Sequence, residues 1–164
     1  MKLAVTVQVA SSRRGVPHAR NLGRWAHAAS VRQLPKVDKE LALTIRVVGA
    51  AESRRLNRTW RNKDKPTNVL SFPAAPLAPG ATGEPPRFPG KDFSELGDLA
   101  ICAPVVAREA REQGKSLQAH WAHMVVHGVL HLLGFDHEND RDADVMEARE
   151  ANILAQFGYH NPYA

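Results

Sequence analysis

The chain has 164 residues, 43% of them hydrophobic and 24% charged, the profile of one ordinary folded domain with its own core and not of a disordered tail. No run approaches the roughly 18 apolar residues of a membrane span, and the single cysteine, Cys102, excludes an intrachain disulfide and fits a reducing cytoplasm. Lys and Arg number 22 against 17 Asp and Glu, a net charge of +5, which favours anionic partners such as nucleic acid.

Leu3, Val5, Val7 and Val9 alternate with smaller or more polar residues, which predicts a strand with one buried face. Thr6 and Gln8 interrupt that stretch, so it does not read as a secretory leader. From Pro17 to Gln33 the pattern turns helical, with Leu22, Trp25, Ala26, Ala29 and Val31 on a broad apolar face. Leu41 to Val48 reads as a second strand ended by Gly49, and residues 50–61 suit a short helix with Leu56 and Trp60 four apart. Asn68 to Phe72 is a third strand closed by Pro73.

Residues 74–94 are so dense in Pro and Gly that neither helix nor strand can persist, and we expect a mobile excursion there. Gly97 to Cys102 reads as a fourth strand, with Cys102 a small core residue. Ala103 to about Ser116 is helical and broken at Gly114; Leu117 to Leu133 and Asp142 to Phe157 are two further helices. The expectation is one α+β domain over residues 1–164: a mixed four-stranded sheet packed with about five helices and no internal repeat. Positive charge concentrates in residues 52–65 and negative charge between Glu138 and Glu150, so a polyanion is expected to meet one side of the molecule.

Residues 127–137 read HGVLHLLGFDH. Side chains at i and i+4 of a helix lie one above the other, so His127 and His131 present two imidazoles about 6 Å apart along the axis. Gly134 can take the left-handed conformation that ends a helix, which lets His137 return as a third nitrogen ligand. Three protein ligands with an open fourth position is how catalytic zinc is held. The metal site is therefore expected at the C-terminal end of a central helix. Other divalent transition metals also suit imidazole ligands. His123 shares the helix face but stands about 12 Å from His131 along the axis; it and His120 read as core or surface residues.

Zinc proteases carry their general base directly after the first histidine; here that position is Gly128, which can neither take nor give a proton. A metal ion alone acidifies water and polarises a phosphoryl oxygen, and a nearby arginine can neutralise the charge that develops in phosphodiester cleavage.

The motif resembles the H-G-x-L-H-L-x-G-[YF]-D-H signature of the YbeY family of metal-dependent bacterial endoribonucleases. RNKDKPTNVLSFP at 61–73 and ELGDLAIC at 95–102 are similar to two further family segments. Met146, Glu150, Ile153 and Leu154 match the pattern of its last helix, and GYHNPY at 158–163 resembles its usual ending. The likeness runs in order from about residue 40 to the end. Phe135 stands where tyrosine is common, and the 74–94 excursion exceeds the family's usual link.

The resemblance implies His127, His131 and His137 as ligands of one Zn2+ ion, with His127 and Arg61 in catalysis. Arg61 is the expected phosphate contact, and Lys63 and Lys65 are expected to add general attraction for nucleic acid. It further implies single-strand-directed cleavage of RNA in the cytoplasm, on ribosomal RNA precursors of the small subunit (16S maturation) and on defective ribosomes. Asn68 and Ser71 are candidates for the cleft wall, Asp98 for a turn or cap, Asp136 for an acceptor that orients an imidazole, and Met146 for the core. The rival readings are a metal-dependent protease or amidohydrolase, and a non-catalytic RNA-binding assembly factor with a structural zinc.

Overall fold

The computed structural model describes residues 1–77 and 93–164; most of the Pro/Gly-rich 74–94 excursion lies outside them. The elements in chain order are β1 (Lys2–Val9), α1 (Ala19–Ser30), β2 (Glu40–Val48), α2 (Ala50–Arg61), β3 (Val69–Pro73), β4 (Glu95–Cys102), α3 (Ala103–Glu112), α4 (Leu117–Leu132) and α5 (Asp140–Ala155). The sheet order is β1-β2-β4-β3. β1 runs parallel to β2, β2 parallel to β4, and β3 antiparallel to β4. This is the mixed four-stranded α+β arrangement expected for the chain.

The core lies between one face of the sheet and a layer of helices. β2 turns Leu41, Leu43, Ile45 and Val47 to that face, and β4 adds Leu99 and Ile101. α4 is apolar nearly all round, with Trp121, Val125, Val126, Val129, Leu130 and Leu132 all buried. A helix of that kind belongs in the middle of a core, and each large side chain so buried contributes about 1.5–3 kcal/mol. The direct consequence for function is that α4, which carries His127 and His131, is held rigidly.

β4 begins two residues earlier than its pattern indicated. The reason is a register irregularity between Ala42 and Leu43, where Leu43 pairs with Gly97. Gly97 sits at φ 142°, and a Cβ there would lie 2.3 Å from the Phe72 carbonyl oxygen, so only glycine lets β3 approach this closely. Asp98 is consequently not a turn or cap residue. It lies within β4, paired in register with Thr44 and Phe72, and exposed on the sheet face away from α4.

Two helices depart from their expected faces. Val31 lies just past α1 and is half exposed. In α2 the buried residues are the polar Ser53 and Asn57, while Trp60 stays 65% exposed with its ring edge-on to Phe72 at 6.1 Å. The polar face has a purpose that apolar periodicity does not register. Ser53 Oγ donates to the Thr67 carbonyl and accepts from the Thr67 amide, both at 3.0 Å, and Asn57 Nδ2 donates to the Lys65 carbonyl at 2.8 Å. Asn62 closes α2 in the left-handed region at φ 59°, a conformation asparagine tolerates better than most residues. Together these bonds pin the 62–68 loop to its own helix.

Candidate metal centre and its cleft

α4 ends as its sequence foretells. Gly134 adopts φ 94°, its amide donates to the His131 carbonyl at 2.9 Å, and the Phe135 amide donates to the Leu130 carbonyl at 3.0 Å. This is the paired-bond helix ending that glycine makes possible, and it turns the chain back toward the helix. Asp136 then departs from its expected role. Its Oδ1 accepts the His137 backbone amide at 2.7 Å, so it shapes the turn that delivers His137 and does not orient an imidazole.

The three rings converge. Centroid separations are 4.6 Å for His127 and His131, 4.9 Å for His131 and His137, and 5.7 Å for His127 and His137. One nitrogen from each lies within 4.8 Å of the others. His127 Nε2 and His131 Nε2 are 3.1 Å apart; two zinc–nitrogen bonds of ~2.05 Å at a tetrahedral angle would place their nitrogens about 3.3 Å apart. The donor set therefore fits a single divalent ion. Burial, reinforced by the neighbouring His127 and His137 charges, pushes the His131 imidazole down to about 4. Its ring is thus neutral near pH 7, the form a metal requires.

A buried carboxylate stands behind the tripod. Glu150 of α5 is fully buried. Its Oε1 lies 2.5 Å from His127 Nδ1, its Oε2 lies 3.1 Å from His123 Nε2, and the Tyr163 hydroxyl donates to the same Oε2. Burial alone pushes the carboxyl up; the bonds from His123 and His127, the His127 charge and the Tyr163 hydroxyl more than reverse this and hold it at about 2. An ionised Glu150 makes His127 carry its proton on Nδ1, so Nε2 turns a lone pair to the cluster. The pattern match had noted Glu150 only as part of the last helix. The signal that could have singled it out is one acid in the inward stripe Met146, Glu150, Ile153 and Leu154. Met146 itself is buried in the core.

His120 and His123 are buried and do not join the tripod: His120 Nε2 lies 2.9 Å from Glu109 Oε1, and His123 meets Glu150. Burial is the chief cause that lowers the His120 pKa, outweighing the Glu109 bond. Asn68, just before β3, donates from Nδ2 to Glu109 Oε1 at 3.1 Å, and Ser71 Oγ donates to the Gly128 carbonyl at 3.3 Å. Both residues therefore serve local hydrogen bonding and line the cleft as well.

The cleft has a volume of about 500 Å³ and is lined by Arg61, Asn68, Ser71, the three histidines, Asp136 and Glu138 among others. Arg61, the last residue of α2, lines it together with Asp136 and Glu138 of the turn after α4. The segregation of charge onto two sides is thus incomplete, because one basic and two acidic side chains line the same cleft. The basic run also neutralises much of itself. Glu52 pairs with Arg46 and Arg55, and Asp64 pairs with Arg54 and lies 4.0 Å from Arg58. Among the described residues Arg61, Lys63 and Lys65 pair with no carboxylate; the two lysines are exposed in the loop after α2 and neither lines the cleft. No helix among the described residues is long and apolar enough to cross a membrane.

Residues 9–158 match the family model described as Endoribonuclease YbeY. Two proteins of Stenotrophomonas maltophilia named Endoribonuclease YbeY are similar to this chain. The one from strain K279a is 51% identical and the one from strain R551-3 is 50% identical, each over all of this chain and 95% of the relative. A solution structure of a Thermotoga maritima protein shares the fold, with a TM-score of 0.57 at 21% identity over 92% of this chain and 88% of that one. On this evidence the chain belongs to the endoribonuclease YbeY family.

Proposed function

We propose that this chain is a metal-dependent endoribonuclease that cuts unpaired stretches of ribosomal RNA precursors, as in 16S maturation, and acts on defective ribosomes, in the cytoplasm. The observation that carries the reading is the convergence on a single cleft of three imidazoles and one arginine that has no carboxylate partner among the described residues. His127, His131 and His137 would hold one divalent ion, zinc in the first instance. When bound, such an ion supplies Lewis-acid chemistry, acidifying water and drawing charge from a phosphoryl oxygen.

The remaining work falls to the chain's own residues. Arg61, which lines the same cleft as the histidines, offers a planar fork to two phosphate oxygens and stabilises negative charge as it develops. Glu150 keeps the His127 proton on Nδ1 and away from the reacting side. A cleft of about 500 Å³ is the size of a small-molecule pocket, with room for an unpaired nucleotide. Lys63 and Lys65, outside the cleft, would attract the flanking backbone without reading sequence.

A Cβ on Gly128 would start 2.8 Å from Leu99 Cδ2 and 3.3 Å from Val69 Cγ2, so the position a protease uses for its base faces the sheet. That observation weighs against the protease reading. The test is turnover of a single-stranded 16S precursor fragment by purified protein, with and without chelator, beside His131→Ala, Arg61→Ala and a casein control. The expected result is metal-dependent RNA cleavage lost in both variants, with casein intact. RNA binding without turnover by the metal-loaded protein would leave the assembly-factor reading standing instead.

A further inference from the structure

The segment after α5 returns to the rear of the histidine cluster and delivers one side chain there. Tyr163 keeps 43% of its surface exposed, yet its hydroxyl donates to Oε2 of the fully buried Glu150. Its ring also packs edge-on to His123, with centroids 5.5 Å apart. The Tyr163 oxygen lies 3.2 Å from His123 Nε2, so two donors converge on one carboxylate oxygen while the other oxygen faces His127 Nδ1.

A glutamate has three rotatable side-chain bonds, and a single contact does not fix the plane of its carboxylate. Two donors on Oε2, one from α4 and one from the segment after α5, do fix it. The orientation of Oε1 toward His127 follows from that anchoring, and with it the direction of the His127 lone pair. Outer partners of this kind change metal affinity without touching the metal.

We propose that Tyr163 is a positioning residue of the metal centre: its hydroxyl holds Glu150, which in turn holds His127 in the ligand orientation. This rests on the metal-binding reading of the three histidines. The segment after α5 is then part of the site, although neither it nor Tyr163 lines the cleft.

The experiment is Co2+ titration of chelator-treated full-length protein, followed by visible absorption, for wild type, Tyr163→Phe, Glu150→Gln, the double variant and His131→Ala. Tyr163→Phe keeps the ring against His123 and removes only the donor. Its affinity for Co2+ should fall on the order of tenfold, with an altered cobalt spectrum. In the Glu150→Gln background the same change should have little further effect, because its route to the metal is already cut. A purely structural role would lower the melting temperature and leave both the affinity and the spectrum unchanged. If Tyr163→Phe binds Co2+ like wild type while His131→Ala has lost it, the proposal fails and the metal site stands. If His131→Ala also binds like wild type, the metal reading itself fails. Additive losses in the double variant would show that Tyr163 acts by a route other than Glu150, and would overturn the proposal as well.

Discussion

His127 Nε2 and His131 Nε2 stand 3.1 Å apart on successive turns of α4, each ring aimed at the same point in the cleft. In the metal-free protein such a pair can share one proton, but a divalent ion that accepts both lone pairs stabilises the folded state by mass action. At a hundredfold excess over its dissociation constant the gain is about 2.7 kcal/mol. We expect Zn2+ to raise the melting temperature of wild type by several degrees and that of His131→Ala hardly at all. Equal shifts would mean that the ion binds somewhere else.

Arg61 differs from the arginines around it in having no carboxylate partner among the described residues, whereas Arg46 and Arg54 are each held by one. Its replacement by Ala should reduce RNA turnover on the order of 10²–10³-fold, the usual cost of losing one transition-state donor, with metal affinity unchanged. Arg61→Lys should restore only part of the rate, since an ammonium cannot grip two oxygens in one plane. Full activity in Arg61→Ala would remove it from the mechanism.

The metal-free protein should lose stability as it is acidified, in two stages. Folded His131 titrates at about 4, below its ordinary 6.5, with burial the main cause. Between those values the unfolded chain binds more protons, so stability rises with pH. His131's contribution is therefore complete above pH 6.5 and lost on the way down to 4. Glu150, held at about 2 against an ordinary 4.5, keeps its contribution above 4.5 and loses it below. Urea midpoints measured from pH 8 to 4 should be flat at first and then fall. His131→Asn should make the fall from 6.5 to 4 shallower. His120, also lowered chiefly by burial, maintains part of the slope. Parallel curves for wild type and His131→Asn would refute the shift at His131.

What the sequence revealed and what it hid divide along physical lines. β1 and β2 were legible because burial imposes a period on their apolar residues, and α4 because its apolar run is long enough for a buried helix. The convergence of the three imidazoles was legible because they are close in sequence, with a helix-ending glycine between the second and the third. Glu150 is 23 residues from His127, and only the packing of α5 on α4 brings them together. Ser53 and Asn57 were invisible to a reading based on apolar periodicity, because their burial is satisfied by backbone groups of the 62–68 loop and not by a hydrophobic face. Trp60 misled for the converse reason: an apolar side chain at helical spacing need not be inside.

Gly128 has two explanations that can be separated experimentally. As a missing glutamate it denies the site a protease base; as a packing residue it lets α4 sit against β4 and β3. Any Cβ there meets both Leu99 methyls, at 2.8 and 3.0 Å, and Val69 Cγ2 at 3.3 Å. Alanine should regain about 1 kcal/mol of helix propensity and lose about 1–3 kcal/mol to overpacking. The methyls of Leu99 are the flexible end of its side chain, so the lower figure applies and Gly128→Ala should be close to neutral. Glutamate cannot be accommodated in that way. Its carboxylate would be driven against Leu99 and Val69 without a partner, at a cost of several kcal/mol, and it would start on the side of α4 that faces the sheet. Gly128→Glu should therefore unfold well below wild type and gain no casein turnover when loaded with Zn2+. A stable Gly128→Glu protein that cleaves casein would show that the missing base alone separates this chain from a protease.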